Sequence, residues 1–507
     1  MEIIGAVAQL FFFFGALALA NTLWAYYQSP IKKIPGPFLA KFTNLWRFFD
    51  NWGGRPELTH QLLHAKYGSA VRLGPDLVSL SDPALMRKIY DSRGQFRKTE
   101  FYSVNDAKVG STIISNVFST RSNADHTQKR SLLTQFYKMS HLLKSESLVD
   151  DTIDSFCKHL DRFADEGTVC KMDEWLLFFA WDVISQLTFS RPMGFMDEGK
   201  DYSGLLGTAD KALDYFSVIG QIPALDKWLA KNPIMPIGPP SFDAAAGFCA
   251  QQSISRQQAG EKTEGKRDML DDFLQLKKQN PLTMDDNGVI GAVLVNVLAG
   301  ADTTAIVLRA VVYYTLKNPI IYRKLQQELD DANLTAPLAY AAVSKLPYFD
   351  AVIRESCRFH PGVGLLLERI VPDTGLQLAD GTFLPAGTKV GMNPWVIHKN
   401  KTIYGQDAES FRPERWLRNE EGGETDEAYA ERLATMKRND LCFGTGKRVC
   451  IGKDISIMEM YKTMATLFKN YEMNLVDPEK EWHVQNSWFV RQTGINVKVQ
   501  RRKPIIA

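Results

Sequence analysis

Ten residues near the C-terminus carry the clearest chemical signal: Phe443-Gly444-Thr445-Gly446-Lys447-Arg448-Val449-Cys450-Ile451-Gly452. A cysteine sits in a glycine-rich loop just ahead of a helical stretch, Ile455–Phe468. Glycine permits positive φ and close backbone approach. Loop amides and a helix N-terminus can therefore point at the sulfur and lower its pKa. A thiolate held this way suits an iron ligand, and Arg448 can pair with an anionic group on the same ligand. Taken alone, a cysteine beside glycines is more often a packed core residue. The full spacing F-x-x-G-x-R-x-C-x-G decides otherwise, because five fixed residues in ten positions arise by chance in about one such chain in ten thousand.

Three further constellations deserve a chemical reading. Glu355 and Arg358 share a helix face at i,i+3, which alone is an ordinary surface ion pair; Phe411-Arg412-Pro413-Glu414-Arg415-Trp416 follows downstream. Ala299-Gly300-Ala301-Asp302-Thr303 places an acid and an alcohol inside an apolar helix, where a buried acid is costly unless paired or used. His126 and Arg130 lie one turn apart on a charged segment. His60 and His64 have zinc-like spacing but no third ligand, so a solvated helix is expected there.

Together these segments resemble the cytochrome P-450 family, the haem-thiolate monooxygenases, over essentially the whole chain. Phe96–Tyr102 and His360–Arg369 are similar to filamentous-fungal members of the pisatin-demethylase-like group. The resemblance implies haem b (iron protoporphyrin IX) with Cys450 as axial ligand of the iron. Phe443, Gly446, Arg448 and Gly452 would shape the cofactor loop, and His126 and Arg130 would contact the propionates. Glu355, Arg358 and Arg415 would form a structural triad, and Asp302 and Thr303 a catalytic proton relay. Phe101, Phe118, Val297, Ala301, Val363, Leu365 and Trp488 are the expected substrate-pocket residues. One departure stands out: residues 361–367 lack the arginine many relatives place about seven positions after Arg358, and Arg369 comes later. That stretch reads as an apolar pocket wall.

The implied activity is oxidation of a lipophilic small molecule in fungal secondary metabolism, using O₂ and electrons from an NADPH-cytochrome reductase. Asp302-Thr303 disfavours two rivals, a haem-thiolate isomerase or dehydratase and a non-catalytic haem-binding membrane protein. Lys437, Arg438, Lys447, Lys453 and Lys462 surround the cysteine loop, either as a docking face for an acidic electron donor or as scattered surface lysines.

These residues need a large helical scaffold. The chain has 507 residues, 45% apolar and 23% charged, with a formal charge of +2. That composition excludes disordered and fibrous classes and speaks against nucleic acid. Six cysteines without paired spacing exclude a disulfide scaffold. Ile3–Trp24 is apolar enough to span roughly 33 Å as a helix. Glu2 precedes it and Lys32-Lys33 follow, which places the body on the cytosolic side, as at the endoplasmic reticulum. We expect an anchor over residues 1–29, a Pro-rich stiff linker over 30–37 and a single mainly α domain with small β-sheets over 38–507, functional as a monomer. Expected strands are Ala70–Leu73, Leu77–Ser81, Gly375–Leu378 and Ile495–Val499. A long helix is expected from a Thr283 cap to Lys317. Ile222–Ser241 reads as a Pro-rich loop, at the surface or against the membrane, and Gln258–Asp272 as an exposed linker.

Overall fold

A computed structural model describes residues 2–109, 112–235, 237–239, 242–259 and 267–502. The helices that matter below are α1 (Glu2–Gln28), α2 (Leu45–Trp52), α3 (Pro56–Tyr67), α4 (Asn123–Leu133), α5 (Glu146–Glu166), α6 (Met172–Phe189), α7 (Leu205–Ile219), α8 (Asp286–Leu316), α9 (Pro347–Phe359) and α10 (Lys453–Asn470). The fold is mainly helical with small sheets.

The long helix α8 forms where the apolar run and its flanking acids predict it, but its cap lies two residues later. Asp285 accepts the Gly288 N–H at 2.8 Å, while the Thr283 hydroxyl donates to the Asn280 carbonyl. An acidic cap suits the positive end of the helix. α8 is long and apolar enough to cross a membrane, yet half of its most apolar window is buried within the protein. It packs on α6, α9 and α10 as the core helix. Gly300 permits the contact with α6: a Cβ there would lie 2.8 Å from Ile184 Cγ1. The glycine thus serves close helix packing, and α8 runs unbroken past it.

The strands are β1 (Ala70–Gly74), β2 (Leu77–Leu80), β3 (Arg97–Lys98), β4 (Cys170–Lys171), β5 (Arg369–Ile370), β6 (Lys389–Gly391), β7 (Tyr471–Leu475), β8 (His483–Ser487), β9 (Phe489–Thr493) and β10 (Asn496–Arg501). β1, β2, β6, β5 and β3 form one sheet in that order. Its register sets Lys98 directly opposite Arg369. The tight hairpin β8–β9 turns at Trp488. The strand expected at Gly375–Leu378 shrinks to Leu376–Gln377, paired with Phe383–Leu384.

Other segments add to or correct the expectations. The stiff segment 30–37 is also docked: Ile31 and Ile34 are buried, and the Pro35 carbonyl accepts the Arg72 N–H at 2.7 Å. A Cβ at Gly36 would sit 2.1 Å from the Arg72 carbonyl oxygen, so this stretch is docked against β1. The exposed linker ends before Asp268, a buried residue that caps the helix Met269–Gln279; residues 260–266 lie outside the described residues. The Pro-rich loop contains a helical turn, Ala224–Trp228, while Pro236, Pro240 and Ser241 lie outside the described residues. His60 is buried and its ring nitrogen accepts from Asn393, so α3 is packed rather than solvated on that face. α1 is a single helix whose described side chains are mostly exposed; those of residues 2–8, 10 and 11 lie outside the described ones.

Candidate functional site

The cysteine loop is a tight backbone frame. The Cys450 N–H donates to the Phe443 carbonyl at 2.8 Å, and the Gly444 N–H to Leu441 at 2.9 Å. Gly444 and Gly446 both have positive φ. At Gly446 a Cβ would lie 2.0 Å from the Tyr90 carbonyl oxygen, so only glycine lets the loop meet this neighbouring segment. Gly446→Ala is therefore expected to cost about 2 kcal/mol or more, read as a lower urea midpoint at an unchanged slope. An unchanged midpoint would contradict that packing.

Cys450 itself is exposed, while the other residues of its loop are half-buried. Although the side chain reaches the surface, the protein packed densely around the loop desolvates the thiol and pushes its pKa up, against the Gly452 amide, Arg130 and Lys453, which pull it down. The expected helix-end arrangement is present, but in the thiol's own environment it does not win.

Beneath the loop, Glu355, Arg358 and Arg415 are brought together, all at 2% exposure or less. The Glu355 carboxylate accepts from Arg358 at 2.8 and 2.6 Å, from Arg415 at 2.9 Å, from the Arg412 amide at 2.9 Å and from the Trp416 indole at 2.9 Å. The remaining Arg358 donors go to the carbonyls of His398, Ala408 and Ser410. His398 then links this network to the cysteine loop. One ring nitrogen lies 3.1 Å from the Arg358 carbonyl and the other accepts the Leu441 N–H at 2.9 Å. These contacts fix the tautomer with the proton on Nδ1.

A second cluster gathers basic groups from distant segments. Arg448 donates to the Thr120 carbonyl at 2.9 Å and to Asn123 Oδ1 at 2.9 Å, and Arg130 to the Val449 carbonyl at 2.7 Å. Lys98 is buried, with its ammonium 4.0 Å from the Tyr102 ring centre and 4.1 Å from that of Phe118. Arg369 stands opposite it across the sheet and is also buried. His126 Nδ1 is buried without a partner. Burial and the neighbouring cations Arg448, Arg130, Lys98 and Lys447 depress the imidazole to about 3. Burial together with Arg369 lowers the Arg448 guanidinium to about 10, and Lys98 is lowered likewise. Among the described residues no carboxylate forms an ion pair with Lys98, Arg130, Arg369 or Arg448. So much buried positive charge is costly without an anion, and a ligand with two carboxylates fits it. The residues present thus match the propionates and iron of haem. Sequence reasoning noted Arg369 only as a late arginine and missed Lys98, because their sheet register joins positions 271 residues apart and only a strand pairing could have signalled it.

On α8 the acid and the alcohol of Asp302-Thr303 point to different surroundings. Asp302 is 7% exposed and accepts the Trp181 indole N–H of α6 at 3.1 Å. Burial, and then the field of Asp210, push its carboxyl up to about 6 against Trp181, Arg309 and Arg491. Thr303 is half-buried, and its hydroxyl donates to the Ala299 carbonyl at 2.9 Å. With the exposed Ala299 one turn away, it forms the more open face of this stretch. Val297 and Ala301 are buried in the main core cluster, apart from the other expected pocket residues. The other five expected pocket residues converge. Phe101, Leu365 and Trp488 form a separate buried cluster with Phe118 and Val363 against it, joined by Tyr102 and Phe216, which the sequence did not single out. Trp488 holds φ at +76°, rare for a bulky side chain.

Around the loop, Lys437, Arg438 and Lys453 are exposed and Lys447 is half-buried. Lys462 is withdrawn from that face. It is 1% exposed and bound to Glu146 at 2.7 Å and Asp150 at 2.9 Å on α5.

Comparison with known proteins agrees with this geometry. The family model described as cytochrome P450 matches residues 35–499. The chain is 40% identical over 503 residues to a protein named cytochrome P450 monooxygenase cfoH, from Aspergillus candidus, covering 97% of this chain and 93% of that one. It is 35% identical over 507 residues to cytochrome P450 monooxygenase cicH of Emericella nidulans, covering 98% and 99%. A second Emericella nidulans protein, cytochrome P450 monooxygenase pkfB, is 37% identical over 481 residues, covering 92% and 91%. With its cysteine loop, buried triad and basic cluster matched by similarity along nearly its full length, the chain belongs to the cytochrome P450 family, oxidoreductases whose cofactor is iron protoporphyrin IX.

Proposed function

We propose that Cys450 is the axial ligand of the haem iron and that the protein is a membrane-anchored monooxygenase of a lipophilic small molecule in fungal secondary metabolism. One observation carries the reading: an exposed thiol beside a buried and half-buried basic cluster in which, among the described residues, no carboxylate forms an ion pair with Lys98, Arg130, Arg369 or Arg448. Haem held there supplies O₂ activation for insertion of oxygen into a substrate bond, with electrons from an NADPH-dependent reductase.

The chain's own groups divide the remaining work. Gly452 offers its amide to the sulfur, and Phe443, Gly446 and Gly452 shape the loop. Lys98, His126, Arg130, Arg369 and Arg448 hold the two propionates. Glu355, Arg358 and Arg415, through His398, keep the loop in register. Asp302, with a carboxyl near 6, can both give and take a proton near neutral pH, and Thr303 presents a hydroxyl on the open side. The aromatic cluster around Trp488 excludes water and receives the substrate. Lys437, Arg438, Lys447 and Lys453 support docking of an acidic electron donor. The exposed apolar side chains of α1, Phe12 to Trp24, support an anchor over residues 1–29 with the domain 38–507 in the cytosol at the endoplasmic reticulum.

Arg369→Gln tests the cofactor assignment. A charge-assisted hydrogen bond contributes about 1.5–3 kcal/mol, so haem should pass to an excess of an acceptor apoprotein about ten- to a hundredfold faster than from the parent. An unchanged transfer rate would remove Arg369 from the propionate site.

A further inference from the structure

The aromatic cluster permits a narrower statement about substrate, which rests on the proposed function. Five rings meet there from four chain segments. The Trp488 indole lies 5.4 Å from Phe101, 5.8 Å from Tyr102, 5.9 Å from Phe118 and 5.6 Å from Phe216, and Phe101 and Phe216 are 4.8 Å apart. All of these contacts are edge-on or tilted, so a flat guest entering among the rings would not have to break a stacked pair.

The hairpin that carries Trp488 is fixed rather than loose. The Trp488 carbonyl accepts the Gly364 N–H at 3.0 Å, and the Gly362 carbonyl accepts the Val490 N–H at 2.9 Å. A Cβ at Gly364 would meet Asn486 Nδ2 at 2.3 Å, so the hairpin is clamped onto residues 361–367. At Gly220 a Cβ would meet Phe101 at 2.5 Å, so the segment after α7 also presses close. Under those clamps a tryptophan is held at φ +76°, a backbone state that disfavours bulky side chains. Strain of this kind persists where the surroundings over-determine it, and it clusters at ligand clamps. The Lys98 ammonium lies over Tyr102 and Phe118 and is committed to the Phe118 carbonyl at 2.6 Å, and the fields of Arg369 and Glu368 also reach Tyr102. Among the described residues no lysine or arginine stacks on Phe101, Phe216 or Trp488, which meet other rings instead.

We infer that this cage selects a planar, aromatic, uncharged substrate, with Trp488 as the specificity-determining ring that stacks on it. A saturated molecule of the same carbon skeleton is puckered and gains only burial, whereas a flat one gains ring–ring contacts on top of burial.

The test uses full-length protein and a matched pair of probes, 2-naphthol and decahydro-2-naphthol, with binding read by equilibrium dialysis. Two additional ring contacts correspond to roughly tenfold in affinity. The parent should therefore bind 2-naphthol about tenfold more tightly than its saturated counterpart. Trp488→Gly, which also relieves the backbone, should bring the two within about threefold. Phe216→Leu, on an ordinary helical backbone, should reduce the preference in the same direction if the hairpin variant fails to fold. Equal binding of the two probes by the parent, or a preference that survives both substitutions, would overturn the inference. Dialysis does not depend on the iron's ligand, so failure of the haem assignment would register separately, in the spectrum of the reduced protein.

Discussion

Glu355→Ala is expected to yield almost no folded, haem-loaded protein. The carboxylate accepts five hydrogen bonds, and its loss leaves two guanidinium groups, Arg358 and Arg415, buried with no opposing charge from it. Breaking a buried pair from one side costs about 3–5 kcal/mol, and here two cations lose the same partner. A whole domain is stable by only about 5–15 kcal/mol. Asp407, which also binds Arg415 at 3.0 Å, offers incomplete compensation because it is itself part-exposed. Yield on size exclusion and the urea midpoint of any soluble fraction check the prediction; a midpoint close to the parent's would refute it. The same network sets acid lability. Burial alone would raise the Glu355 carboxyl, but Arg358, Arg415 and the Arg412 amide outweigh it and hold it below its ordinary 4.5. A depressed carboxyl contributes stability above its unfolded value and loses it as pH falls through the folded one. Cooperative loss of structure is therefore expected below about pH 4.5, and Glu355→Gln should flatten that limb.

Asp302→Asn should produce a slower and more stable protein. A positioned acid or base contributes about 10²–10⁴-fold to rate, so turnover should fall by at least about a hundredfold with substrate binding little changed. Stability should move the other way. The folded carboxyl is raised from 3.8 to about 6 by burial first and Asp210 second. A raised acid contributes fully only below its unfolded value, and that contribution is lost as pH rises through 6. The difference corresponds to about 3 kcal/mol above pH 6. Asparagine keeps the side-chain oxygen that accepts from Trp181 and carries no charge to bury. Denaturation midpoints at pH 4 and pH 8 should therefore diverge between parent and variant only at the higher pH. Equal turnover would show that Asp302 is not a proton relay, and equal midpoints at pH 8 that it is not ionised in place.

Much of this arrangement is legible in local sequence, and what is not has a common cause. The cysteine loop, Glu355-Arg358 and Asp302-Thr303 are contiguous runs, so their geometry is written at short range. Arg369 and Lys98 become neighbours only through the register of β3 against β5, and His398 matters only because its two ring nitrogens face different segments. Val297 and Ala301 fall in the main core cluster, which sequence could not show because α8 is apolar all round and such a helix gives no amphipathic cue to which face is open. Ala299 and Thr303 hold that face instead. Tyr102 and Phe216 carry no local sign of a shared cluster; the β8–β9 hairpin joins them by bringing in Trp488. Lys462 looked like a surface lysine because sequence shows neither Glu146 nor Asp150 across from it.

The most direct measurement is the carbon-monoxide difference spectrum of the reduced, haem-loaded protein, recorded for the parent and for Cys450→Ala. The parent should show the strongly red-shifted band of thiolate-ligated haem, and the substitution should abolish it while other buried features of the fold persist. A parent spectrum typical of nitrogen-ligated haem, or a red-shifted band that survives loss of the sulfur at position 450, would contradict the assignment.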